Sequence, residues 1–95
     1  MAAYLIADIT ITDPEGFKEY QQAVPATVEK HGGRYIVRGG DPEVFEGDWN
    51  PSRVVVLEFP NMATLKAWYG SDDYQKIIGM RTNNSDGNVI VVEGH

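Results

Sequence analysis

Arg34 and Arg38 stand four residues apart in HGGRYIVRGG, residues 31 to 40, with a glycine pair on either side. A guanidinium stays charged at any physiological pH, and its fork of donors fits a carboxylate or phosphate with two hydrogen bonds. On one side of a strand the pair would orient an acidic ligand or steady an enolate-like charge. The alternative is an internal ion pair with Glu58, because desolvated charges are normally paired. In one version Arg34 neutralises Glu58 and leaves Arg38 free for a ligand. Asp8, Glu46 and Glu58 are the carboxylates that could move a proton if burial raised a pKa. Glu46 falls in a long loop that could close over a cavity mouth, and Trp49 in the same loop suits a pocket rim or a dimer contact. Tyr20 and Tyr74 could line an aromatic pocket, whereas Trp68 and Tyr69 sit at helical spacing and read as core. Arg81 either reaches the cavity edge or complements a helix C-terminus. The catalytic candidates are therefore Arg38, Glu58 and Asp8, and the ligand-binding candidates are Arg34, Glu46, Trp49, Tyr74 and Arg81.

Other chemistries find little footing. His31 lies at a helix end on its apolar stripe, where packing accounts for it, and His95 is the last residue, so no Ser-His-Asp set is suggested. The carboxylates lack a clustered histidine, and there is no cysteine, so neither a metal site nor a cofactor is expected. The glycine pairs do not make a phosphate loop, because one precedes a strand and the other enters a loop rather than a helix. A net charge of −6 argues against nucleic acid and anionic membrane as partners, although two local arginines can still hold a small anion. No apolar run approaches the roughly 20 residues that span a bilayer, and the first residues lack a signal-peptide pattern. A cytoplasmic protein is the resulting expectation, with one domain over residues 1–95.

The elements that must position these residues can be read from periodicity and breakers. Residues 4–11 are β-branched and apolar and predict a strand. Asp13 and Pro14 open a helix whose Phe17, Tyr20, Val24, Val28 and His31 form one stripe, stopped at Gly32. Pro25 should kink that helix or divide it. Residues 34–39 predict a second strand. About fourteen residues then precede the third strand at 53–59, a length that often marks function or an intersubunit contact. Within that stretch EVFEG could add a short strand. Pro60 or Asn61 opens a second helix with Leu65, Trp68 and Tyr69 inward, and Ser71 caps a further segment carrying Tyr74, Ile77, Ile78 and Arg81. NNSDGN reads as a turn before the last strand, VIVVE. The order βαββαβ is the ferredoxin-like α+β pattern, a four-stranded antiparallel sheet with helices on one face.

Strand parity then sorts the faces. Leu5, Ala7, Ile9 and Ile11, with Val55, Leu57 and Phe59 and with Tyr35 and Val37, fit the helix side. The other face mixes Ile6, Ile36, Val54 and Val56 with Asp8, Arg34, Arg38 and Glu58. Burying such aliphatics stabilises by roughly 25 cal/mol per Å², so a homodimer joined through this face is expected, with those charged residues lining a cavity between two sheets. The alternative is a monomer with a partly wet sheet.

The combination of GGRY with RGG, EGDW, EFP, and AWY followed by S-x-x-Y resembles the domain of unknown function 1330 family, over nearly the whole chain. The resemblance implies a dimeric α/β barrel, in a superfamily of cofactor-free monooxygenases, lactone isomerases, haem-binding enzymes and non-catalytic members. It carries no catalytic residues with it. Two functional expectations follow: a homodimer that binds or transforms a small anionic or aromatic metabolite without a cofactor, or a non-catalytic ligand-binding or structural dimer.

Overall fold

The computed structural model describes residues 1–95. The elements are β1 (Ala3–Ile11), α1 (Pro14–Lys30), β2 (Arg34–Gly40), β3 (Val54–Phe59), α2 (Met62–Tyr69), α3 (Asp72–Gln75), α4 (Ile78–Thr82) and β4 (Ser85–Glu93). The strands form one antiparallel sheet in the order β2-β3-β1-β4. This is the ferredoxin-like α+β arrangement that the βαββαβ order predicts.

Local chemistry sets the helix boundaries. The Asp13 carboxylate accepts from the Gly16 N–H at 3.2 Å, and Pro14 occupies the first turn, where its missing donor costs nothing. Asn61 caps α2 by accepting from Thr64 N–H at 2.7 Å, and the Ser71 hydroxyl caps α3 through Tyr74 N–H at 3.2 Å. Phe17, Tyr20, Val24 and Val28 are buried along α1, and Leu65 and Trp68 along α2. They pack on Ala3, Leu5, Ala7, Ile9, Leu57 and Phe59 of the sheet.

Three expectations need correction, and a fourth residue sits less deeply than its spacing suggests. Helix α1 runs unbroken past Pro25, whose half-buried ring rides in a helix held by its packed stripe. EVFEG forms no strand and lies in the extended connection between β2 and β3. Tyr69 does face inward, its ring centroid 5.4 Å from that of Tyr74, although 38% of the residue stays exposed. Residues 85–88 of NNSDGN belong to β4, not to a turn, and pair with β1 as far as Ile11 opposite Ser85.

Glycine makes that last extension possible. A Cβ at Gly87 would overlap the main-chain carbonyl oxygen of Asp8 on the neighbouring strand. Backbone cannot retreat as a flexible side chain can, so Gly87→Ala should destabilise the fold by about 1–3 kcal/mol. Urea denaturation of both proteins checks this, and an unchanged midpoint would count against the close approach.

The largest departure concerns the phase of β2. Arg34 lies opposite Glu58 and Tyr35 opposite Leu57, but the register then slips, so Val37 faces Val56 and Arg38 faces Val55. A one-residue bulge at Ile36 reverses the side-chain alternation beyond it. Val37 therefore joins the outer face, and Arg38 turns to the helix side. The outer face now reads in rows across the sheet. Val37, Val56, Ile6 and Ile90 make one apolar row through all four strands, and Arg34, Glu58, Tyr4 and Val92 make the next.

Candidate functional site

Between the helices and the inner face of the sheet lies a pocket of about 260 Å³. Its walls are mostly apolar, supplied by β1, β3 and α1, but among its polar-tipped side chains three arginines, Arg38, Arg53 and Arg81, stand with the tyrosines Tyr20, Tyr35 and Tyr74. No aspartate, glutamate or histidine is on the lining.

Each of these groups is brought there by a definite element. Arg38 arrives through the bulge in β2. It is exposed, so it stands at the rim, and its guanidinium lies 4.7 Å from the centre of the Tyr35 ring. That is a cation–π geometry. Arg53 immediately precedes β3 and shares the parity of Val55 and Leu57, which points it inward. Its guanidinium crosses the backbone of Gly39, where a Cβ would come within 2.6 Å of Nε. Gly39 also has φ of +72°, a conformation that a side chain resists. The glycine after Arg38 thus has two reasons to be glycine, and both concern the placing of arginines.

The helices bring the rest. Tyr20 of α1 and Tyr74 of α3 share a hydrogen bond at 2.8 Å, and Arg81 of α4 donates from Nε to the Tyr74 oxygen at 3.3 Å. Burial pushes the Tyr20 phenol far above its ordinary range, and the adjacent Tyr74 adds to the rise. Burial likewise raises Tyr35, while the Arg38 charge pulls the other way. For Arg81, burial alone would lower the pKa, but the neighbouring tyrosines, Tyr74 first, together outweigh it and the guanidinium is held charged. Neither Arg38 nor Arg53 has a carboxylate partner, since the ion pairs are Lys30–Asp73 and Arg34–Glu58.

The remaining candidates lie elsewhere. Arg34 and Glu58 meet on the outer face at 2.7 Å, with the Tyr4 hydroxyl donating to Glu58 at 3.1 Å. These contacts, Arg34 first, hold the Glu58 carboxyl below its usual range. Asp8 is also on the outer face, where it accepts from the Trp49 indole N–H and from Ser52 N–H, both at 3.0 Å. The indole contact leads in lowering its pKa as well. Neither of these two carboxylates gains the basicity that burial would give it, because each is bound by donors. Trp49 is 63% exposed and fastens the long connection to the end of β1 rather than standing at the pocket. Glu46 is exposed on that connection. His31 is half-buried, its Nδ1 3.0 Å from the Thr27 carbonyl oxygen.

Of the eight candidates, Arg38, Tyr74 and Arg81 come together at the pocket, and Arg34, Glu58, Asp8, Glu46 and Trp49 do not. Arg38 was expected on the opposite face, and the Ile36 bulge is what moves it. Arg53 and Tyr35 were missed as site residues. The parity of Arg53 with Val55, Leu57 and Phe59 was a readable signal for the first.

Residues 2–95 match the family described as Domain of unknown function (DUF1330). The chain belongs to that family. No curated protein is similar enough to count as a match. Among solved structures, a protein of unknown function from Rhodopseudomonas palustris is similar with a TM-score of 0.78 and 16% identity, covering 99% of this chain and 82% of the other. A dimeric ferredoxin-like protein of unknown function from Jannaschia sp. CCS1 gives 0.68 and 15%, covering 99% and 100%. SnoaB, a cofactor-independent oxygenase from Streptomyces nogalater, gives 0.67 and 7%, covering 99% and 93%. At these identities the likeness is one of fold. The architecture common to this family member and those proteins is compatible with several chemistries, and the pocket's own residues must speak for function.

Proposed function

We propose that this family member acts as a homodimer paired through the outer face of its sheet. Each protomer binds a small organic acid with an apolar or aromatic body in the pocket beneath the helices. The observation that carries the ligand reading is the pairing of three guanidinium groups with a lining free of carboxylates. Arginines held near one another without acids repel, and a bound anion relieves that repulsion while its body covers apolar wall. Binding and orientation are what these side chains do best, because no lining residue is a general base at neutral pH.

The dimer reading rests on the apolar row of Val37, Val56, Ile6 and Ile90, where Ile90 is 59% exposed in the single chain. A protein of like fold described as dimeric supports it. The Arg34–Glu58 pair flanks that row and suits the polar margin of such an interface.

Calorimetric titration with 4-phenylbutanoate tests the ligand reading. A charge-assisted contact is worth about 1.5–3 kcal/mol, so Arg38→Ala should weaken binding roughly tenfold to a hundredfold. The neutral 4-phenylbutanamide should be nearly indifferent to the same change. Equal affinity of wild type and Arg38→Ala for the acid would refute the role given to Arg38.

A further inference from the structure

The pocket contains more donors than its own atoms can accept. Three of them meet at its inner end: Arg81 Nε–H and the hydroxyls of Tyr20 and Tyr74. Arg81 gives its hydrogen to the Tyr74 oxygen, and the two hydroxyls share a single hydrogen bond. A phenol carries one proton, so only one of the pair donates to the other. If Tyr20 donates, the Tyr74 proton is left over; if Tyr74 donates, the Tyr20 proton is. In either arrangement one buried phenolic hydrogen has no acceptor within the trio. The lining offers no carboxylate to take it, and its single amide, Gln21, makes no bond to either hydroxyl.

A buried donor without an acceptor costs free energy, which a ligand oxygen would recover on binding. Arg38 and Arg53 add further donors on the strand side, and they have no acid partner. The complement of such a site is a molecule with acceptors at two places and no donor of its own. Arg38 and Arg53 line the same pocket as Tyr20, Tyr74 and Arg81, with Tyr35 among them, so the two donor groups border one continuous space.

Building on the reading of the pocket as an organic-acid site, we infer that its ligand is an oxo acid. The carboxylate lies against Arg38 and Arg53, a ketone or enolate oxygen accepts from the Tyr20–Tyr74–Arg81 trio, and an apolar body covers the remaining wall. An alcohol in that position would bring a second proton into a place already supplied with one, so the carbonyl is preferred to the hydroxyl.

The test compares 4-oxo-4-phenylbutanoate with 4-phenylbutanoate, which differ by one ketone in place of a methylene. One neutral hydrogen bond should make the oxo acid bind roughly threefold to tenfold more tightly to wild type. In Tyr20→Phe/Tyr74→Phe/Arg81→Met the two rings remain and the donors of the trio go, so the preference should vanish while 4-phenylbutanoate still binds. Equal affinities in wild type would overturn the oxo-acid inference and leave the acid-binding reading standing. A preference that persists in the triple variant would overturn it too. If neither acid binds, the pocket reading falls and takes the inference with it. Infrared spectra of wild type with 4-oxo-4-phenylbutanoate labelled at the ketone carbon give an independent readout that needs no variant. The bound carbonyl band should shift to lower frequency than in an apolar solvent, and an unshifted band would overturn the inference.

Discussion

Val56→Asp is expected to turn the proposed homodimer into a folded monomer. Val56 sits at the centre of the outer-face row, with Val37 on one side and Ile6 on the other, and Ile90 beyond Ile6. In a two-fold dimer the substitution enters twice, placing two carboxylates near the middle of an apolar interface. Removing an unpaired charge from water costs several kcal/mol for each ion, which outweighs what one aliphatic row of this length contributes. Within the single chain the same side chain is only half-buried, so the fold itself should tolerate the change. Native mass measurement at micromolar concentration should find wild type at twice the chain mass and the variant at the chain mass, with unchanged circular dichroism. A variant that stays dimeric would show that the chains do not pair through this row.

The second large effect is expected at Trp68. Its side chain is 1% exposed and packs 4.2 Å from Tyr74 and 5.2 Å from Phe59, centroid to centroid. Its indole N–H donates to the Thr27 hydroxyl at 3.0 Å, which ties α2 to α1 above the sheet. Trp68→Ala deletes the largest buried side chain and the tie together, and should cost about 3–5 kcal/mol. That is a large share of the roughly 5–15 kcal/mol that holds a domain folded. Chemical denaturation should show a collapsed midpoint or no cooperative transition at all, while Trp68→Phe should retain most of the stability. A small shift for the alanine variant would mean that the core closes over the gap more readily than this aromatic cluster allows.

Much of the architecture was legible in the residues because its signals are local and redundant. Asp13-Pro14, Asn61 and Ser71 announce helix starts by capping chemistry, and the strict alternation of Leu5, Ala7 and Ile9 fixes which side of β1 is buried. The outward direction of Arg34 followed from the same alternation, which left open whether it meets Glu58, as it does, or a ligand. Arg38 escaped because alternation assumes that no residue is inserted. Ile36 and Val37 are both apolar, so hydrophobicity has no phase to offer where the bulge falls, and only the pairing with Val56 and Val55 reveals it. That Asp8 and Glu58 gain no basicity was hidden for a different reason. Donors remote in sequence, Trp49 for one and Arg34 for the other, reach each carboxylate only once the chain is folded.

The central claim is that Arg38 and Arg53, not Arg34, face the ligand. The most direct measurement follows the arginine Nε–Hε resonances of the ¹⁵N-labelled protein during titration with 4-phenylbutanoate. The Arg38 and Arg53 signals should move with a common saturation curve while the Arg34 signal, held by Glu58 on the other face, stays in place. Movement of Arg34 with Arg38 and Arg53 unchanged would put the ligand on the outer face and contradict this account.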